Sequence, residues 1–246
     1  LHPIPRRQRQ MCIRDRSDVV RRVETMGEYN PMLGMRGVRL GVTVPEIYEM
    51  QARAIFEAIV QVSKEGISVV PEIMIPLVSA KREVELVKKR VASVASQVGL
   101  ETSAEVNYKL GVMVETPRAA LRASDIAMNS EFLSFGTNDL TQMAYGLSRD
   151  DAGKFMSQYV QQGVFQEDPF HILDPEGVGE LVKLGADRAR SIKPNITLSI
   201  CGEHGGNPES IAFCHQLGFH YVSCSPYRVP VAKLAAAQVA ISTQIS

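Results

Sequence analysis

Residues 109–142 read KLGVMVETPRAALRASDIAMNSEFLSFGTNDLTQ. An apolar run at 109–115 closes on Thr116-Pro117, a helical stretch follows at 117–128, and a second apolar run at 132–136 leads into Thr137-Asn138-Asp139. A strand, then a helix, then a strand is the signature of parallel strands with helical crossovers. The pattern extends in both directions. Upstream, 45–66 sets Ile47, Met50, Ala54, Ile55, Ala58 and Val62 near helical spacing, with Pro45 in the first turn and Gly66 past the end. The β-branched run at 67–78 has almost no polar face, as in a strand covered on both sides, and a charged periodic helix follows at 80–97. Downstream, strands are expected at 197–201 and 220–224 and helices at 176–191, 207–217 and 228–240. Such alternation gives a doubly wound sheet or a closed barrel, and periodicity does not choose between them. Five strands and a short candidate at 38–42 fall short of eight, so the sheet is open or a barrel lacks its first strands. Residues 147–177 form the one long irregular insertion, read as an excursion on the lid side.

Lys plus Arg and Asp plus Glu number 27 each, so no net field draws the chain to nucleic acid or to an anionic membrane. No apolar run is long enough to span a bilayer, which makes a cytoplasmic protein the expectation. The cysteines, Cys12, Cys201, Cys214 and Cys224, form no C-x-x-C pair and are expected as free thiols. Residues 1–16, LHPIPRRQRQMCIRDR, are rich in arginine and carry prolines at positions 3 and 5. This leader is expected to be non-native or disordered, since MCIRDR is similar to a translated sequencing adapter, and the folded domain is expected over 17–246.

Chemistry in parallel α/β folds gathers at the C-terminal ends of strands. Those ends are polar here: Glu115 after the first run, Thr137-Asn138-Asp139 after the second, and Cys201-Gly202-Glu203-His204 after the run at 197–201. Neighbouring strands lie about 4.8 Å apart, close enough for Glu115 and Asp139 to share one Mg²⁺ completed by water and substrate oxygens. Equally open on spacing alone, Asp139 caps a helix beginning near Leu140 and Glu115 pairs with Arg118. Cys201, His204, Cys214 and His215 invite a zinc reading, opposed by the adjacency of the last two on a helix. Arg36, between glycines in NPMLGMRGVRLG, suits a phosphate or carboxylate ligand; Arg149, in SRDDAG, is equally accounted for by Asp150 and Asp151.

Taken together, NPMLGMRGVRLG, PEIYEMQARAIFEA, GVMVETPRAAL, FLSFGTNDLTQMAYGLSRDDAGKF, ICGEHGG and YVSCSPYRVPVAKLAAAQ resemble, in order and approximate spacing, the phosphoenolpyruvate/pyruvate-binding barrel of the pyruvate, phosphate dikinase family. Phosphoenolpyruvate synthase and the sugar-phosphotransferase enzyme I share the GTNDLTQ and CGE elements. The resemblance implies an α/β fold of the (β/α)8 TIM type, incomplete because its first two strands are missing. It also implies Mg²⁺-dependent phosphoryl transfer between a phosphohistidine on another domain and pyruvate enolate, in a homodimeric intact enzyme. Matched by motif, Glu115 and Asp139 correspond to metal ligands, and Gly136, Thr137 and Asn138 to the substrate loop. Arg36 corresponds to a phosphate-contacting arginine, Arg149 to a further substrate contact, and Cys201 to a proton donor with a thiol near working pH. Met35 departs from the GHRG form common in the family.

Overall fold

The computed structural model describes the backbone of residues 6–245 and the side chains of residues 15–242. Two compact units divide after Arg36: Leu1–Arg36 and Gly37–Ser246. Residues 17–36, which the sequence reading joins to the barrel, therefore belong to the first unit. That unit contains helix α1, Arg6–Thr25. Residues 6–16 are thus helical, where the sequence led to an expectation of no order. Arginine, glutamine and methionine are good helix formers, which accounts for the backbone conformation. Residues 15–30 are exposed throughout, so this part of the helix has no buried face to hold it.

The second unit begins with α2 (Val38–Thr43) and α3 (Pro45–Lys64), then β1 (Glu72–Ile75), α4 (Lys81–Thr102) and β2 (Lys109–Val114). Two short helices, α5 (Pro117–Leu121) and α6 (Ala123–Ala127), lead to β3 (Phe132–Gly136) and α7 (Thr137–Tyr145). The insertion carries α8 (Arg149–Ala152) and α9 (Met156–Gln161). The chain ends through α10 (Val178–Ile192), β4 (Thr197–Cys201), α11 (Pro208–Gln216), β5 (Tyr221–Val222) and α12 (Val229–Ile245).

All strand pairs are parallel, and the sheet order is β1-β2-β3-β4-β5. A doubly wound sheet reverses direction at a switch point, whereas a barrel adds each strand beside the last. Sequential order therefore decides for an incomplete barrel of the TIM type. Curvature confirms it: five strands laid flat would separate the edges by about 19 Å, yet the Tyr221 hydroxyl on β5 donates to Glu72 on β1 at 3.3 Å. Along the strands, Leu110, Val112, Val114, Leu133, Phe135, Leu198 and Ile200 are all at most 1% exposed and form the outer face packed by helices. Alternate residues, among them Gly111, Met113, Ser134, Gly136, Ser199 and Cys201, face the other way, into the concave side.

Several boundaries differ from those read in the sequence. Residues 38–42 are helix, not strand: Gly37 turns the chain at φ 56° and the Val38 amide donates to the Pro76 carbonyl at 3.0 Å. The run at 67–78 pairs only over Glu72–Ile75, bracketed by Pro71 and Pro76, which have no N–H to donate. The strand expected at 220–224 pairs only at Tyr221–Val222. The helix at 117–128 breaks at Arg122. The insertion is irregular over most of its length, as expected, but it is not without order. Ala152, Met156 and Phe170 form a small buried cluster with Leu147, Phe155 and Phe165 around it. Phe165 meets Tyr145 edge-on at 5.3 Å, which ties the insertion to α7.

Candidate active site

Pairing register brings three strand ends to one level. Val114 pairs with Phe135, and Gly136 with Cys201, so Glu115, Gly136 and Cys201 meet at the rim of the concave face. Glu115 is 7% exposed, and its Oε1 accepts the Leu77 amide at 2.6 Å. To aim that amide, Leu77 adopts φ 59°, a left-handed conformation uncommon for a branched residue. Gly136 is required beside it. A β-carbon there would lie 2.8 Å from both Glu115 Oε2 and Met113 Sδ, so any larger residue would displace the carboxylate.

The loop after β3 is pinned from β4. Thr137 Oγ1 donates to the Cys201 carbonyl at 3.0 Å, and Asn138 Oδ1 accepts the Glu203 amide at 3.2 Å. Gly202, at φ 97°, lets that amide approach; its own β-carbon would stand 2.7 Å from Asn138 Oδ1. Asp139 Oδ1 accepts from Gln142 Nε2 at 3.1 Å, and Gln142 Oε1 accepts the Arg149 amide at 2.8 Å. The Arg149 guanidinium then pairs with Glu203 at 3.2 Å. Asn138, Asp139, Gln142, Arg149 and Glu203 thus form one ring of contacts joining α7, the insertion and the β4 end.

Cys201 is partly buried, and its Sγ donates to the Phe135 carbonyl at 3.6 Å. Burial pushes the thiol pKa up; a hydrogen bond with Ser134 pulls it down, and the charge of Glu115 pushes it up again. The net direction is upward, toward a thiol that keeps its proton. Burial, with Glu115 in second place, also raises the Tyr48 phenol.

The alternatives left open by spacing meet specific contacts. The N-cap of α7 is Gly136, so Asp139 lies within the first turn instead of capping it. Arg118 donates to the Ser79 carbonyl. Asp151 pairs with Lys154 and leaves Arg149 to Glu203. Both His204 nitrogens are engaged, by Thr137 and by the Pro169 carbonyl, which leaves neither for zinc. Arg36 lies in the first unit, where its Nε donates to the Met32 carbonyl at 2.8 Å.

Two carboxylates from neighbouring strand ends, beside the space that Gly136 keeps open, match the donor set of a hard divalent cation that takes its remaining ligands from water and substrate. Among the described residues no group of three His, Cys, Asp or Glu side chains gathers as a cage. Sequence reasoning missed Leu77, Ser134 and Gln142 as parts of the site, and it singled out His204 at the β4 end without its bonds to Thr137 and Pro169. Two of them carry a readable signal: Ser134 shares the strand face of Gly136, and Gln142 stands three residues after Asp139 on one helix face. Among the described residues, no helix is long and apolar enough to cross a membrane.

Residues 8–241 match the family model described as PEP-utilising enzyme, PEP-binding domain. The chain is 54% identical over 222 residues to a chloroplastic pyruvate, phosphate dikinase of Mesembryanthemum crystallinum, covering 90% of this chain and 23% of that protein. It is 54% identical to the pyruvate, phosphate dikinase of Rhizobium meliloti (strain 1021) and 52% identical to that of Clostridium symbiosum, in each case covering 93% of this chain and 26% of the relative. The chain thus spans about a quarter of the length of these relatives. Among solved structures, a citrate lyase from Burkholderia xenovorans LB400 aligns with a TM-score of 0.46 at 16% identity, over 67% of this chain and 48% of that one.

Proposed function

The chain belongs to the family of PEP-binding domains of PEP-utilising enzymes, and on that premise we propose that it is the substrate barrel of a pyruvate, phosphate dikinase, interconverting pyruvate and phosphoenolpyruvate. In the intact enzyme the overall reaction would be ATP, pyruvate and phosphate giving AMP, phosphoenolpyruvate and diphosphate. The supporting observation is the convergence of Glu115, Gly136, Asn138 and Cys201 on one rim, in a protein over half identical to dikinases along nine-tenths of its length.

Glu115 and Asp139 would hold Mg²⁺, which when bound supplies Lewis-acid stabilisation of the negative charge on an enolate oxygen. The other roles fall to the chain. Leu77 and the space at Gly136 keep the Glu115 carboxylate turned to the rim, and Asn138 is set by the Glu203 amide to meet a substrate oxygen. Toward phosphoenolpyruvate, the pyruvate methyl group gives a proton to the Cys201 thiolate, the enolate oxygen bonds to the phosphorus delivered by a phosphohistidine on another domain, and the phosphorus–nitrogen bond breaks. In the reverse direction the enolate carbon takes a proton from Cys201, whose burial keeps the thiol protonated. Arg149 would meet the phosphoryl or carboxylate oxygens, and for Arg36 a phosphate contact is proposed on its sequence motif alone. Engagement of Arg149 requires it to leave Glu203, an exposed pair whose contribution is about 0–1 kcal/mol. We further propose a homodimeric parent enzyme in the cytoplasm, with the site accepting no nucleic acid.

Calorimetric titration of phosphoenolpyruvate with and without Mg²⁺ tests the reading. Binding should require the metal and be lost in Glu115→Gln and Asp139→Asn. Metal-independent binding of the same strength in all three proteins would end the proposal.

A further inference from the structure

His204 is 0% exposed, yet the chemistry above gives it nothing to do. Its Nδ1 lies 2.7 Å from Thr137 Oγ1, in the loop after β3, and its Nε2 lies 3.0 Å from the carbonyl of Pro169, in the insertion. We infer that His204 is a positioning residue that couples the Thr137 loop to the insertion, so that the rim and the segment over it adopt their working arrangement together. Calling 136–139 a substrate loop rests on the proposed function; the coupling itself does not.

Hydrogen counting shows why this is more than a filled space. Pro169 and Cys201 offer carbonyls, which only accept, and the Thr137 hydroxyl has one hydrogen. The three contacts, His204 to Pro169, His204 to Thr137 and Thr137 to Cys201, need three hydrogens. A neutral ring and a hydroxyl hold two. Burial lowers the His204 pKa, with the nearby Arg149 and His171 acting in the same direction and the Pro169 carbonyl and Glu203 against it, so the ring is neutral. With its hydrogen on Nε2, the ring grips the insertion and draws the Thr137 hydroxyl away from the Cys201 carbonyl. With the hydrogen on Nδ1, Thr137 holds the strand carrying Cys201 and the insertion loses its donor. Each tautomer therefore exchanges a bond to the insertion for one to the β4 end, which is a two-state element between the two segments.

Paired variants of the 246-residue chain separate the two halves of the ring. The amide of His204→Asn reaches the Nδ1 position, and that of His204→Gln reaches the Nε2 position. Amide hydrogen exchange without ligand should speed up about tenfold at 164–173 in the Asn variant and about tenfold at 136–142 in the Gln variant, the loss expected from one buried hydrogen bond. With Mg²⁺ and phosphoenolpyruvate, Gln should weaken binding about tenfold and Asn by less than about threefold. If both variants exchange like wild type at both segments, or speed up along the whole chain in step with a lower Tm, the ring is ordinary core filling and the inference falls. Wild type that binds no phosphoenolpyruvate overturns the proposed function alone, and the exchange rates still decide this one.

Discussion

A branched residue held at positive φ is disfavoured by about 1–3 kcal/mol, and Leu77 at φ 59° holds that conformation where its amide meets Glu115. Gly37 makes room for it. At φ 56°, a β-carbon on Gly37 would stand 2.8 Å from Leu77 Cβ and 3.0 Å from the Pro76 carbonyl. Gly37→Ala should therefore lower stability by about 1–3 kcal/mol in a denaturant melt. Gly136→Ala should act differently: by pushing Glu115 off the rim it should weaken Mg²⁺-dependent phosphoenolpyruvate binding at least about tenfold, more than it lowers Tm, as calorimetry beside a thermal scan would read. Cys214 gives a pH signature. Burial pushes its thiol up to about 12 from 9.0. Below about pH 9 both folded and unfolded states hold the proton and the contribution to stability is whole; between there and about 12 the unfolded state loses its proton first, so stability falls. The slope of unfolding free energy above pH 9 should be flatter in Cys214→Ala.

Among the elements, the long helices were readable, and so was the nine-residue Pro208–Gln216, but the brief Val38–Thr43 was not. α3 and α4 advertise themselves by apolar spacing over 20 and 22 residues. Val38–Thr43 is apolar and brief, and its start is anchored by a hydrogen bond from the Val38 amide to the Pro76 carbonyl, a partner that no local pattern reveals. Pro71 and Pro76 were visible in the sequence as limits on β1, but the β-branched run around them read as one long strand. The small cluster within the otherwise irregular insertion was hidden for a related reason: its order comes from aromatic contacts between separate turns. Phe165 touches both Tyr145 and Tyr159. Phe165→Ala should open 147–177 to limited proteolysis while leaving the sheet resistant, so a fragment cut within the insertion is the expected product. Equal resistance of both would show that the aromatic contacts are not what orders it.

At the level of the whole molecule, alternation of strand and helix established the class, while the choice of barrel over doubly wound sheet lay in strand order and came only from the resemblance. The positions of Glu115, Cys201 and, three residues past β3, Asp139 were legible as candidates because a polar residue at or just beyond the end of an apolar strand stands out. The role of Leu77 and the partner of His204 were not, because the groups they bond lie 38 and 67 residues away. The two-faced strands carry a practical consequence. Leu110, Val112, Leu133, Phe135, Leu198 and Ile200 press outward on the helices, and their alternating neighbours look inward. Foldability and chemistry are therefore written in interleaved alphabets on the same few segments. A combinatorial library confined to the inward letters could explore new catalysts while the scaffold's own spelling stays intact.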